Sequence, residues 1–221
     1  MNNLVKRLRA LDTCAVSDAL DRHGLTGVVH GLRPLAAEGP LAGRAVTVLL
    51  GPPPADHAGP PQRHLGTAAV DASGPDDVVV VAHQGRIDCA GWGGLLSRAA
   101  AIRGVGGVVV DGAARDLTEA SEVGLPVFAR IATPVTARGR AVELAWDEPI
   151  EIAGIPVAPG DLVLGDAGGV VVVPAGRALE VLATAERIVA TESAMAAAIQ
   201  AGTAVSTVMG KRYEELTDGD R

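Results

Sequence analysis

Four short apolar, β-branched runs, joined for the most part by sequence with helical spacing, constrain the fold of this chain more than any other feature. Residues 44–50, 77–82, 105–110 and 125–129 read as strands. Between the second and third, residues 95–103 read as a helix that ends in the glycine-rich stretch 104–107. Helical crossovers between successive strands favour a mixed α/β sheet. A strand followed by a helix and another strand also brings both ends of the intervening sequence to one edge of the sheet.

Other segments fill in around this unit. Asp12-Thr13, followed by Ala15, Val16, Ala19 and Leu20, reads as a capped helix that Gly24 ends. Pro52-Pro53-Pro54 and the polar residues through Gln62 read as a surface loop. From Ala141 the pieces shorten: 142–144, 150–152, 155–157, 162–164 and 170–173 alternate with turns such as Pro159-Gly160-Asp161 and Asp166-Ala167-Gly168-Gly169, as hairpin or barrel strands do. Residues 178–200 carry a long helical pattern closed by Gly202.

With 221 residues, 48% of them hydrophobic, the chain is long enough for one well-buried core, and a single domain over 1–221 is expected. Four aromatic residues leave little for base stacking, and a net charge of −7 is wrong for a general phosphate-backbone binder, so nucleic acid is not an expected partner. Cys14 and Cys89 form no CxxC pair and read as reduced thiols of a cytoplasmic protein. No apolar run approaches the roughly 20 residues of a membrane span, and no signal-peptide core follows Met1.

The chemistry-bearing pattern is Trp92-Gly93-Gly94-Leu95-Leu96, then twenty residues between Gly94 and Arg115, then Arg115-Asp116 and Glu119. Glycines at a helix start let backbone N–H groups approach an anion, so Gly93, Gly94, Leu95 and Leu96 are candidate binders of a substrate carboxylate. Arg115 offers a planar donor fork for a carboxylate or enolate oxygen. Asp116 and Glu119 are hard oxygen ligands suited to Mg2+ or Mn2+. Each residue also has a plain reading: Arg115-Asp116 as a surface ion pair, Glu119 as a first-turn helix acid, and the glycines as packing devices. His57 and His64 lie seven apart in the Pro/Gly-rich loop without supporting ligands and read as loop residues.

These segments resemble the RraA-like family, which includes class II 4-hydroxy-4-methyl-2-oxoglutarate aldolases, oxaloacetate decarboxylases and a non-enzymatic regulator of ribonuclease E activity. The resemblance rests on residues 12–20, 92–96, 111–116, 159–161 and 168–174. It implies a swivelling β/β/α three-layer α/β fold assembled as a homotrimer or homohexamer. One set of aldolases in the family has an acid twenty residues before the Arg-Asp pair; a second has glycine there and an acid three positions after the Asp. Gly94 and Glu119 match the second set.

The implied activity is a carbon–carbon lyase acting on a small 2-oxo acid, by retro-aldol cleavage of a 4-hydroxy-2-oxo acid or decarboxylation of oxaloacetate. A divalent cation at the keto oxygen stabilises the pyruvate enolate that either reaction leaves. Aldol cleavage also needs a base for the 4-hydroxyl proton, which a water oriented by Asp111, or by an acid of a neighbouring subunit such as Glu192, is expected to supply. The plain readings are a turn acid for Asp111 and a solvated helix charge for Glu192. Lys6 and Lys211, the only lysines, lie near the termini and outside the motif, which disfavours a Schiff base. No glycine-rich cofactor loop follows the first strand, which argues against a methyltransferase. The alternative is a non-catalytic regulator that binds and inhibits a partner such as a ribonuclease.

Overall fold

The computed structural model describes residues 2–54 and 64–210. The loop segment containing His57, and Lys211, lie outside these described residues. In chain order the elements are α1 (Asn2–Leu8), α2 (Thr13–Arg22), β1 (Val28–Val29), β2 (Arg33–Ala36), β3 (Leu41–Gly51), α3 (Thr67–Ala72), β4 (Asp77–Trp92), α4 (Gly94–Ile102), β5 (Val108–Ala114), α5 (Leu117–Glu122) and β6 (Val127–Ala132). There follow β7 (Val142–Trp146), β8 (Ile150–Ile152), β9 (Ile155–Val157), β10 (Leu162–Asp166), β11 (Gly169–Val173), α6 (Ala178–Gln200) and α7 (Val205–Val208).

One nine-stranded sheet runs β1-β11-β10-β3-β4-β5-β6-β2, with β7 paired to β3, while β8 and β9 form a separate hairpin. Its centre, β3 to β6, is parallel, and β10, β11 and β2 flank it antiparallel. Parallel neighbours need crossovers. Helices α3, α4 and α5 supply them in turn.

Alternation along the strands then sorts the core into layers. Val79, Val81, Val108, Val110 and Ala114 face α3–α5, where Ala69, Val70, Leu96, Ala100 and Ala120 cover them. Their neighbours Val78, Val80, Ala82, Val109 and Phe128 face the other way, toward Val163, Val170 and Val172 of β10 and β11 and toward the β8–β9 hairpin. The outer faces of β10 and β11 carry Leu162, Leu164, Val171 and Val173, which pack on α1, α2 and the first half of α6. This is the mixed α/β class expected from the sequence. Among the described residues, no helix is long and apolar enough to cross a membrane.

The long helix 178–200 matches its sequence reading, whereas β4 continues ten residues beyond the expected end at Ala82. Its ladder to β5 shifts between Val81 and Arg86 and again on either side of Ala90, and Gln84 and Gly85 both have positive φ. These bulges break the period-two pattern while the pairing goes on.

His83 sits on this irregular stretch, fully buried. Its Nε2 lies 2.9 Å from the Cys89 carbonyl oxygen, which accepts from that nitrogen in the corresponding tautomer. Nδ1 has no partner among the described residues. Burial pushes the His83 pKa below its ordinary value. The folded state therefore refuses a proton that the unfolded chain takes up below pH about 6.5, so stability is full above that pH and declines beneath it. Unfolding free energies from urea titrations are expected to fall between pH 7 and pH 5.5, by up to about 1.4 kcal/mol per pH unit. His83→Asn should flatten that interval; an equally steep fall in the variant would assign the effect to other groups.

Candidate active site

Because β4 and β5 are parallel neighbours, they end side by side: Trp92 pairs with Ala114, and the Arg115 N–H donates to the Trp92 carbonyl at 3.0 Å. The chain leaves β4 through Gly93 into α4 and leaves β5 through Arg115-Asp116 into α5. Residues such as Gly94 and Asp116, 22 apart in sequence, thus meet at one sheet edge. Trp92 is buried, and its Nε1 donates to Ser97 Oγ at 2.9 Å, which fixes the entry to α4 from below.

Asp116 turns the chain with φ 55° and ψ 37°, a left-handed conformation that aspartate tolerates better than most residues. Its carboxylate makes no capping bond to α5 and reaches across to α4 instead. Oδ2 accepts from the Gly94 N–H at 3.0 Å and from Arg115 Nε at 2.9 Å. Burial alone would raise the Asp116 pKa, but the Gly94 N–H and the Arg115 guanidinium outweigh it, and the carboxyl lies below its ordinary value. It is ionised at neutral pH.

Glu119 comes in from the first turn of α5 and lies against Gly94. A Cβ built on Gly94 would stand 2.7 Å from Glu119 Cδ, and one on Gly93 would stand 3.1 Å from Asp116 Oδ2. Both glycines have negative φ, so vacated space rather than backbone freedom is what these positions require. Glu119 Oε2 accepts from Arg98 Nε at 2.9 Å. Among the described residues, Asp116 Oδ1 and Glu119 Oε1 accept no hydrogen bond.

Gly93, Gly94, Arg115, Asp116 and Glu119 therefore meet as one half-exposed cluster. Leu95 and Leu96 differ from each other: Leu95 is 84% exposed beside the cluster, whereas the Leu96 side chain joins the core under it. The Gly94 N–H, expected to bind a substrate carboxylate, is given to Asp116, which leaves the N–H groups of Leu95 and Leu96 for that task.

The expectation that Asp111 orients a water meets a different arrangement. Asp111 is buried on the face of β5 turned to the β8–β9 hairpin, where Oδ1 accepts from Arg130 Nε at 2.6 Å and Oδ2 from the Ala153 N–H at 2.9 Å. Both oxygens are taken because a buried carboxylate needs such partners. Glu192 is exposed on α6, whose buried residues stop at Ile188 and belong to the α1–α2 cluster, not the one beneath Gly94. His64 is exposed, with Nδ1 3.1 Å from the Leu65 carbonyl. Among the described residues, no group of three or more His, Cys, Asp or Glu side chains is placed to hold a metal.

Sequence reading passed over Arg98. It lies one helical turn after Gly94, and its guanidinium bridges Glu119 and Glu122 of α5. The signal was a base on one short helix facing two acids on the next, visible only once α4 and α5 are known to be neighbours.

Comparison with known proteins identifies the family and the fold. The RraA-like family profile (Aldolase/RraA) matches residues 13–172. Protein DlpA of Legionella pneumophila is 31% identical over 208 residues, which cover 91% of this chain and 32% of that protein, so the chain spans about a third of that relative's length. A Halalkalibacterium halodurans protein provisionally named a 4-hydroxy-4-methyl-2-oxoglutarate aldolase is 33% identical over 197 residues, 89% of each chain. The crystal structure of Streptomyces coelicolor RraAS2, described as an unusual member of the RNase ES inhibitor RraA protein family, superposes with a TM-score of 0.78 at 28% identity, covering 87% of this chain and 95% of that one. With its fold and its sequence matched along most of its length, the chain belongs to the RraA-like family.

Proposed function

We propose that this chain is a divalent-cation-dependent lyase that releases pyruvate, or a related 2-oxo acid, from a 4-hydroxy-2-oxo acid by retro-aldol cleavage or from oxaloacetate by decarboxylation. The observation that carries the reading is the pairing of Asp116 and Glu119 around Gly94, each with one oxygen held by protein donors and the other unpartnered.

The donor set fits Mg2+ or Mn2+. Both ligands are carboxylate oxygens, both lie in space that only glycine at 93 and 94 leaves open, and Mg2+ is ordinarily held by one or two carboxylates with waters completing its shell. Such a cation, when bound, supplies a Lewis acid for the keto oxygen. Arg115 spends Nε on Asp116, which leaves its terminal nitrogens for the substrate carboxylate or developing enolate. The N–H groups of Leu95 and Leu96, at the start of α4, are the second carboxylate contact.

Decarboxylation needs no base at the substrate's 4-position, whereas aldol cleavage does. We assign the orienting of a water for that role to Glu192 of a neighbouring copy in a homotrimer or hexamer, since this exposed acid lies beyond the packed part of its own helix. Asp111 we assign to holding the β8–β9 hairpin through Arg130 and Ala153. A cytoplasmic location goes with this reading.

The second reading, a non-catalytic inhibitor of a partner such as a ribonuclease, is favoured by the description of the Streptomyces relative. Pyruvate formation, followed by coupled oxidation of reduced nicotinamide cofactor, separates the two. Turnover of oxaloacetate or of a 4-hydroxy-2-oxo acid with Mg2+ or Mn2+ present is expected. No turnover of any of these acids with either cation would overturn the lyase reading in favour of the inhibitor.

A further inference from the structure

Arg98 stands between two acids of α5: Nε is 2.9 Å from Glu119 Oε2, and Nη2 is 3.6 Å from Glu122 Oε2. All three side chains are 42% or more exposed. Ion pairs so exposed contribute little net stability, so the fold gains little from this one. What the pair does fix is direction. A free surface glutamate samples many rotamers, and the ion pair narrows that choice. Here the confined carboxylate lies over Gly94, in the volume a side chain at that position would fill.

The two acids of the site are then held alike. Asp116 has Oδ2 fixed by Gly94 and Arg115, with Oδ1 left over; Glu119 has Oε2 fixed by Arg98, with Oε1 left over. Resting on the cation site argued above, we propose that Arg98 is a positioning residue that orients Glu119 toward a bound divalent cation, with Glu122 as its counter-charge. A lone guanidinium beside such a site would repel the ion. Arg98 with Glu122 is neutral as a pair, so its net field on the ion is small and the orienting effect dominates.

The test must separate orientation from charge. The double variant R98M/E122Q removes one charge of each sign and leaves the local net charge unchanged. Mn2+ binding to the full chain, read from the paramagnetic resonance signal of free Mn2+, is expected to weaken about tenfold, the low end for loss of a group that orients a metal ligand. Arg98→Lys, which keeps the charge and one donor, should fall between the two. In a chain already carrying E119Q, the same double substitution should have no further effect. Unchanged melting temperature and circular dichroism would establish that the fold is intact.

Wild-type affinity in R98M/E122Q would overturn the role of Arg98 and leave the cation site standing. Failure of the unsubstituted chain to bind Mn2+ would overturn the site and this role together.

Discussion

Arg115→Ala is expected to lower pyruvate release by about a hundredfold or more, the usual loss when a donor to developing negative charge is removed, and Asp116→Gly, which removes a proposed ligand of the Lewis-acid cation, by a similar factor. The two act on different sides of one contact. In the proposed site Arg115 is the substrate's contact through its terminal nitrogens and Asp116 is a cation ligand through Oδ1, while Oδ2 ties α4 to β5. Glycine is the informative replacement at 116, because φ 55° is a conformation that glycine adopts freely and alanine does not. The pair is about two-thirds buried at best, so stability should change by no more than about 1 kcal/mol in either variant. Activity measured beside the melting temperature checks the prediction. Near-native turnover in either folded variant would remove that residue from the chemistry.

Gly94→Ala is expected to have an effect of similar kind by a different route. Its new Cβ would stand 2.7 Å from Glu119 Cδ, closer than carbon atoms approach. The colliding group is the end of a flexible side chain, so Glu119 swings away and the fold survives, but the second carboxylate leaves the site. Mn2+ affinity should fall about tenfold or more, as it does when a ligand's orientation is lost. In a chain already carrying E119A, the same substitution should cost nothing further, since neighbouring residues reveal their coupling in such a cycle. Additive losses would mean that Gly94 acts independently of Glu119.

Much of this site was legible because it is local to one strand–helix–strand unit. The glycines, Arg115, Asp116 and Glu119 could be read from spacing, since consecutive parallel strands must end at the same edge. What spacing does not reveal is who partners whom. Asp111 looked like an acid at a strand end, yet its side chain follows the period-two alternation to the opposite face of β5 and is neutralised there by Arg130, nineteen residues away. Arg98 was overlooked for the converse reason: a base on a short helix reads as solvated until the facing helix is known. The fold shows the same division. Long periodic α6 was readable, but β4 was cut short because its bulges at Gln84–Gly85 and near Ala90 erase the alternation while its pairing to β5 continues.

The dependence of pyruvate release on a divalent cation held by Asp116 and Glu119 is the sharpest consequence of the proposed site. It is tested most directly on whichever 2-oxo acid the chain turns over, by measuring pyruvate release after removal of metal with a chelator and again after adding back Mg2+ or Mn2+. Chelation is expected to abolish turnover, either cation to restore it, and Asp116→Gly to stay inactive with both. Full turnover in the presence of excess chelator would contradict that dependence.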